Sequence, residues 1–103
     1  MKRIHLALST QNLHESILEY NQRLSVKPTI IIDNEYALWR TPTINFSLRV
    51  DYNCHPGSLR NLDWEDDEAT EFTQDTDVNG IIWEHFSYEN QLAEIKDIWN
   101  LET

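Results

Sequence analysis

The chain has 103 residues, enough for one domain with a modest hydrophobic core. Its 18 acidic and 8 basic residues give a formal net charge of -10, so it lacks the basic surface with which proteins bind nucleic acids and anionic membranes. The single cysteine, Cys54, fits a reducing compartment and predicts a cytoplasmic protein, and no stretch has membrane-spanning length. With only Gly57 and Gly80, the chain has no glycine-rich loop for a dinucleotide or a nucleotide phosphate.

A strand and a helix are predicted first. In the stretch RIHLALS, the apolar residues Ile4, Leu6 and Leu8 occupy alternate positions, which is typical of a half-buried strand. Asn12 is a predicted helix cap, and Glu15 completes a capping box three residues later. The helix that follows has one apolar stripe, consisting of Leu13, Ile17, Tyr20 and Leu24. Because this stripe must cover the apolar side of the strand, we expect the alternate residues, including His5, to face the other way.

Three more strand-like stretches follow. TIIIDNEYALWRT contains a turn-prone Asp-Asn pair between β-branched and aromatic residues, which indicates a hairpin. TINFSLRV alternates, with Ser47 and Arg49 on its polar side. SLRNLDWED alternates as well, with Asn61 and Asp63 opposed to its apolar residues. The polar sides of these strands are therefore expected to gather in one concavity.

The last third of the chain contains a predicted loop, a strand and a helix. The acidic segment EDDEATEFTQDTD has no periodicity and is interpreted as a loop. GIIWEHF is the last predicted strand, with Glu84 on the side opposite to Trp83 and His85. Ser87 can cap a closing helix, whose apolar stripe consists of Tyr88, Leu92, Ile95 and Trp99. We expect an α+β fold with both helices on one side of a curved sheet.

Three stretches resemble motifs of the vicinal-oxygen-chelate superfamily, which includes glyoxalase I, bleomycin-resistance proteins and extradiol dioxygenases. HLALSTQNLHESILEYNQRLSVKP resembles the opening strand and helix, with Ser25 where the family usually has glycine. SLRNLDWED is similar to the strand that opens the second module, and DVNGIIWEHF is similar to the closing strand. The resemblance implies one glyoxalase-like domain over residues 1–103, with a complete βαβββ module in residues 1–50 and a shortened second module in residues 57–103. The second module would keep two strands, and the closing helix is expected to cover the surface that its missing helix leaves open.

The resemblance also implies a site. The superfamily takes metal ligands from the first strand of each module and from the last strand, which correspond here to His5, Asn61 and Glu84. An amide oxygen is a much weaker ligand than imidazole, so Asn61 leaves the metal triad incomplete. We therefore expect no cofactor; if one is bound, it is a divalent transition metal (Fe, Zn, Ni or Mn). The hydrogen-bonded remnant of an ancestral site is the other interpretation of these three residues.

Other polar residues have both a functional and a structural interpretation. Arg49, Ser47 and Asp63 share the predicted concavity and are candidates for binding a ligand, although Arg49 could instead form an ion pair with Asp63 or Glu84. Cys54 lies where arsenical-cleaving members of the superfamily place two adjacent cysteines, but a single thiol cannot form that chelate.

Three functions follow from this interpretation. The first is a small-molecule-binding or non-catalytic member of the superfamily. The second is a metal-dependent lyase, isomerase or dioxygenase whose site is completed across a homodimer. The third is a subunit-interaction protein that uses an incomplete sheet as a docking edge. A shortened module exposes apolar surface and a strand edge near Trp83, which predicts a homodimer; a small-molecule ligand is also predicted, and no nucleic acid or membrane partner is expected.

Overall fold

The computed structural model describes residues 1–101 and has the predicted α+β class. The strands are β1 (Lys2–Thr10), β2 (Ile30–Ile32), β3 (Tyr36–Arg40), β4 (Ile44–Val50), β5 (Leu59–Asp66), β6 (Thr73–Thr76) and β7 (Ile82–Phe86). The helices are α1 (Leu13–Leu24) and α2 (Tyr88–Ile98). Among the described residues, neither helix is long and apolar enough to cross a membrane.

All seven strands form one sheet in the order β2-β3-β4-β1-β5-β7-β6. In the first half of the sheet β1 is parallel to β4, and in the second half β5 is parallel to β7. The two halves meet where β1 and β5 pair antiparallel. The strands that begin each half therefore lie side by side at the centre of the sheet.

Helix α1 packs on one face of the first half. Its predicted cap is confirmed, because Oδ1 of Asn12 accepts a hydrogen bond of 3.0 Å from the backbone N–H of Glu15. Ser25 ends the helix in the left-handed region at φ 57°, a conformation that glycine adopts with less strain. The buried core beneath α1 consists of Leu13, Ala37, Trp39, Phe46 and Leu48.

Helix α2 packs on the opposite face, so the expectation that both helices share one side is wrong. Tyr36 and Leu38 alternate along β3 with the residues under α1, and they pack instead against Ile95 of α2. Gln91 of α2 is buried and exchanges two hydrogen bonds of 2.7 and 3.2 Å with Asn45. Helix α2 therefore brings a polar group to the polar face of the sheet, which the apolar stripe of its sequence did not indicate.

The second half of the sheet has three strands, one more than the two that were expected, and no helix between β5 and β7. Strand β6 lies in the acidic segment that was predicted to be a loop, and it pairs antiparallel with β7 at the edge of the sheet. The face that a second helix would cover stays open: Trp64 is 40% exposed and stacks on Trp83 at 6.5 Å between ring centroids. The prediction that the closing helix covers this face is also wrong, because α2 lies on the other side.

Candidate functional site

The three residues singled out by sequence lie together on the face that α2 covers. In the sheet, His5 of β1 is paired with Asp63 of β5, which is paired with Glu84 of β7. Asn61 is two residues before Asp63 and therefore points to the same face. His5, Asn61 and Glu84 thus converge although they are far apart in the sequence.

Hydrogen bonds join this row of side chains. Nδ2 of Asn61 donates to Oδ2 of Asp63 and, at 3.1 Å, to Oε1 of Glu84. The other carboxylate oxygen of Asp63 accepts a 3.0 Å hydrogen bond from the backbone N–H of Glu84. Nδ1 of His5 is 2.6 Å from Oδ2 of Asp63 but makes no aligned hydrogen bond with it. Asp63, which has no exposed surface, therefore holds the three candidate residues in place.

Ser47 performs a similar role on the other side of His5. Its Oγ lies 2.9 Å from Nε2 of His5 and accepts a 3.0 Å hydrogen bond from Nη2 of Arg60. Ser47 is fully buried, like Asp63. Both residues were candidates for direct ligand binding, and both lie behind the wall of the site, where they fix the orientation of His5, Asn61 and Arg60.

A cavity of about 160 Å³ opens above this row, between the sheet and α2. His5, Asn61 and Glu84 form its polar floor, and Phe86, Tyr36 and Trp99 provide aromatic walls. The contribution of α2 includes Glu94, Ile95 and Ile98. Arg49 and Arg60 also line the cavity, and both border a neighbouring groove beside Ser9, Val50 and Asp51.

The carboxyl groups of the cavity are easier to protonate than usual. Burial raises the pKa of Glu84 to about 7, with a further contribution from the negative charges of Asp63 and Glu94, although Arg60 opposes it. Partial burial at the rim of the cavity also raises the pKa of Glu94, and the negative charge of Asp63 adds to the shift. Near neutral pH the cavity therefore contains a carboxyl that changes charge over a small pH range.

The other titratable side chains of the wall are shifted by the same cause. Burial lowers the pKa of Arg60, and the neighbouring charge of Arg49 acts in the same direction. Burial raises the pKa of Tyr36 to about 12, so its hydroxyl stays protonated. The cavity thus offers a neutral hydroxyl and two guanidinium groups in addition to its carboxyls.

Arg49 is exposed at the rim, and it does not form the ion pair that was one of its two interpretations. Within residues 1–101 it has no carboxylate partner; its guanidinium lies 5.2 Å from the ring centroid of Trp99. His85 is on the opposite face, as predicted, where it lies 2.8 Å from Asp66. Cys54 is in the loop before β5 and lines neither the cavity nor the groove.

Sequence reasoning missed Arg60. Alternation along β5 places it with Leu62 and Trp64, on the face away from the cavity. The pairing with β1 shifts by one residue at this point, because Ala7 pairs with Asn61 and Leu8 pairs with Leu59. Arg60 is the extra residue of this bulge and turns into the cavity. No sequence signal marks the bulge.

A metal fits this donor set poorly. Within residues 1–101 no group of three or more His, Cys, Asp or Glu side chains is arranged to hold a metal ion. Nε2 of His5 is engaged with Ser47, and the amide of Asn61 directs its N–H groups, not its oxygen, toward Asp63 and Glu84. Near neutral pH the Glu84 carboxyl, whose pKa is about 7, must also lose its proton before it can bind a cation.

A second polar cluster lies on the same face of the sheet and is structural. Glu65 has no exposed surface and accepts hydrogen bonds from Arg3 at 2.7 Å and from Arg40 at 2.8 and 2.9 Å. Nδ2 of Asn45 donates to it as well, at 2.9 Å. This cluster, in which every oxygen of the carboxylate is satisfied, does not line the cavity.

Comparison with known proteins supports the fold alone. No protein-family model matches the chain, and no curated protein matches it in sequence. It is similar to the crystal structure of an NAD-dependent benzaldehyde dehydrogenase from Legionella pneumophila, with 12% sequence identity and a TM-score of 0.55. The match covers 82% of this chain and 97% of that chain. At this identity the likeness concerns the path of the backbone and carries no activity from one protein to the other.

Proposed function

We propose that the chain is a small-molecule-binding, non-catalytic protein of the vicinal-oxygen-chelate type with a reduced second module. Two features of the sheet support the relationship. Each half contains a parallel pair of strands, β1/β4 and β5/β7, and the two halves meet through β1 and β5. The positions that correspond to the metal ligands of the superfamily, His5, Asn61 and Glu84, converge on one cavity.

The observation that carries the binding function is the cavity itself. It is concave, partly apolar and supplied with a few convergent polar groups, which is the usual character of a ligand site. Asp63 and Ser47 hold those groups from behind, so the polar floor is preorganised before any ligand arrives. Oγ of Ser47 lies beside Nε2 of His5, and Asp63 lies beside Nδ1 of the same ring, but Ser47 is fully buried and does not line the cavity, so a ligand there does not reach its hydroxyl. We therefore propose binding without chemistry.

The binding function predicts that blocking the mouth of the cavity abolishes ligand binding. Ile98 lines the cavity and is 41% exposed, so Ile98→Trp can fill the opening with little effect on folding. In a fragment screen by ligand-observed NMR, fragments that bind the unmodified protein should lose at least about tenfold in affinity, or about 1.4 kcal/mol. Leu18→Trp is the matched control, because Leu18 is 57% exposed on α1, away from the cavity. Fragment binding that Ile98→Trp leaves unchanged would contradict the proposal.

The alternative is a metal-dependent lyase, isomerase or dioxygenase, and it predicts a different result. We expect elemental analysis of untagged protein to find no stoichiometric Fe, Zn, Ni or Mn, because the Asn61 amide donates to two carboxyl groups and is not free to act as a ligand. Near-equimolar metal that His5→Ala removes, but that His14→Ala on the exposed side of α1 retains, would favour the enzyme.

We also propose a homodimer and a cytoplasmic location. The exposed stack of Trp64 on Trp83 and the unpaired edge of β6 are surfaces that a second copy could cover. The single cysteine is compatible with a reducing compartment. A subunit-interaction role would use the same open face. We favour a homodimer, in which the interacting subunit is a second copy of this chain.

A further inference from the structure

Two pairs of opposite charges line the cavity without touching each other. Arg49 and Arg60 are the cationic pair, and Glu84 and Glu94 are the acidic pair. Within residues 1–101, none of the four forms an ion pair, although ion pairs occur elsewhere in the chain, as at Glu65. Opposite charges that are kept apart across one cavity suit a ligand that carries both signs.

The cationic side has one unsatisfied donor. Nε of Arg60 is buried and has no hydrogen-bond partner in the described chain, while its Nη2 is held by Ser47. A buried donor without a partner costs free energy unless a ligand accepts from it. Arg49 adds a second guanidinium at the rim, braced on the ring of Trp99. A carboxylate matches the planar fork of such groups.

The acidic side of the cavity lacks a cationic partner within residues 1–101. Glu84 and Glu94 both line the cavity, and the negative charge of the buried Asp63 repels the charged form of each. A ligand ammonium group would relieve the repulsion and donate hydrogen bonds to both. An anionic ligand without an ammonium group would leave it unrelieved.

The size of the cavity limits the ligand. A volume of about 160 Å³ corresponds to roughly five water molecules, so the ligand is small. Phe86, Ile95 and Ile98 offer an apolar wall beside the charged groups. The space suits a short apolar side chain attached to a charged head.

We infer that the cavity binds a free α-amino acid or a close zwitterionic relative, with its carboxylate at Arg49 and Arg60 and its ammonium group at Glu84 and Glu94. This inference rests on the proposed binding function and specifies its ligand class. A carboxylate or an amine alone satisfies one side of the cavity and leaves the other uncompensated. The zwitterion satisfies both.

Matched probes test the inference by isothermal titration calorimetry. L-Leucine, 4-methylpentanoate and isopentylamine share one apolar body and differ only in their charged groups, and equivalent sets can be made from alanine, valine and phenylalanine. In at least one set the amino acid should bind about tenfold or more tightly than both its carboxylate and its amine counterpart.

Substitutions of exposed rim residues test which charged pair binds the carboxylate of the ligand and which binds its ammonium group. Arg49→Gln should weaken binding of the amino acid and the carboxylate but not of the amine, and Glu94→Gln should weaken the amino acid and the amine but not the carboxylate. Both residues are exposed at the rim, so the fold should tolerate the changes. Arg23→Gln and Glu89→Gln are the matched controls, because both residues are exposed on helices outside the cavity. Loss of binding in the controls would contradict the assignment.

The outcomes separate the two proposals. If fragments bind in the cavity but no amino acid exceeds its carboxylate and amine counterparts, the zwitterion inference fails and the binding function stands. If neither fragments nor amino acids bind, both fail. Amino-acid binding that Ile98→Trp abolishes, and that Leu18→Trp leaves intact, supports both.

Discussion

Glu65→Gln is expected to lower the free energy of unfolding by about 3 kcal/mol, because it removes the one carboxylate that neutralises two arginines in the interior. Glu65 has no exposed surface, while the side chains of Arg3 and Arg40 are 13% and 24% exposed. Partial access of water to the arginines places the loss at the lower end of the range for broken buried pairs. Urea denaturation measures it.

An exposed ion pair provides the control. Glu19 and Arg23 form an i,i+4 pair on α1, with side chains 60% and 68% exposed. Glu19→Gln should cost less than about 0.5 kcal/mol, because solvent screens such pairs. Equal losses in Glu65→Gln and Glu19→Gln would show that the buried cluster contributes nothing beyond a surface pair.

The Glu65 cluster should also shape the pH dependence of stability. Burial alone would raise the pKa of Glu65, but hydrogen bonds from Arg40 and Asn45 and the charge of Arg3 outweigh it and lower the pKa below its ordinary value of 4.5. The contribution is therefore complete above the unfolded pKa and is lost as the pH falls through the lower, folded pKa. Below about pH 4.5 the stability difference between the unmodified protein and Glu65→Gln should shrink.

Trp39→Ala is expected to cost about 3–5 kcal/mol, the usual loss when a large aromatic side chain is removed from a core. Trp39 has no exposed surface and packs edge-on against Tyr20 and Phe46 beneath α1, with its ring N–H donating to Asn21 at 3.0 Å. Truncation leaves both a cavity and an amide without its partner. The midpoint and slope of a urea transition give the change in unfolding free energy.

Trp64→Ala is the matched control on the half of the sheet that has no helix. Trp64 is 40% exposed, so its loss should cost only about 1–2 kcal/mol in a monomer, less than the loss of Trp39. If a second copy covers this face, the cost should depend on protein concentration, and light scattering should show a dimer that Trp64→Ala weakens. A monomeric mass at micromolar concentration for the unmodified protein would end the homodimer proposal.

Alternation and helix periodicity were sufficient to predict most of the fold. The apolar positions of β1 and the stripe of α1 were identified from spacing alone, and Asn12 and Ser87 cap their helices as predicted. These features depend on neighbours within a few residues, so the local sequence contains the information they require. The convergence of His5 and Glu84 followed from the same alternation combined with the family resemblance.

Strand pairing and helix docking depend on residues far away in the sequence, so local sequence patterns could not predict them. Strand β6 is polar at all four positions and exposed throughout, so hydrophobic periodicity gives no signal for it, and only pairing with β7 makes it a strand. The stripe of α2 showed that the helix packs but not on which face of the sheet. The contacts on that face join residues that are far apart in sequence: Tyr36 and Leu38 pack against Ile95, and Asn45 bonds with Gln91 across 46 positions.

The sequence by itself determined which residues lie on the polar face of each regular strand, because the pleat alternates with a period of two. Only the tertiary structure decided which of them line the cavity. A one-residue bulge turns Arg60 toward the cavity, although regular alternation would place it on the other face of the sheet. Helix α2, near the far end of the chain, covers the cavity face and contributes Glu94 and Ile98 to the lining. Bulges and helix docking result from long-range pairing, and the charged cavity exists only once that pairing is complete.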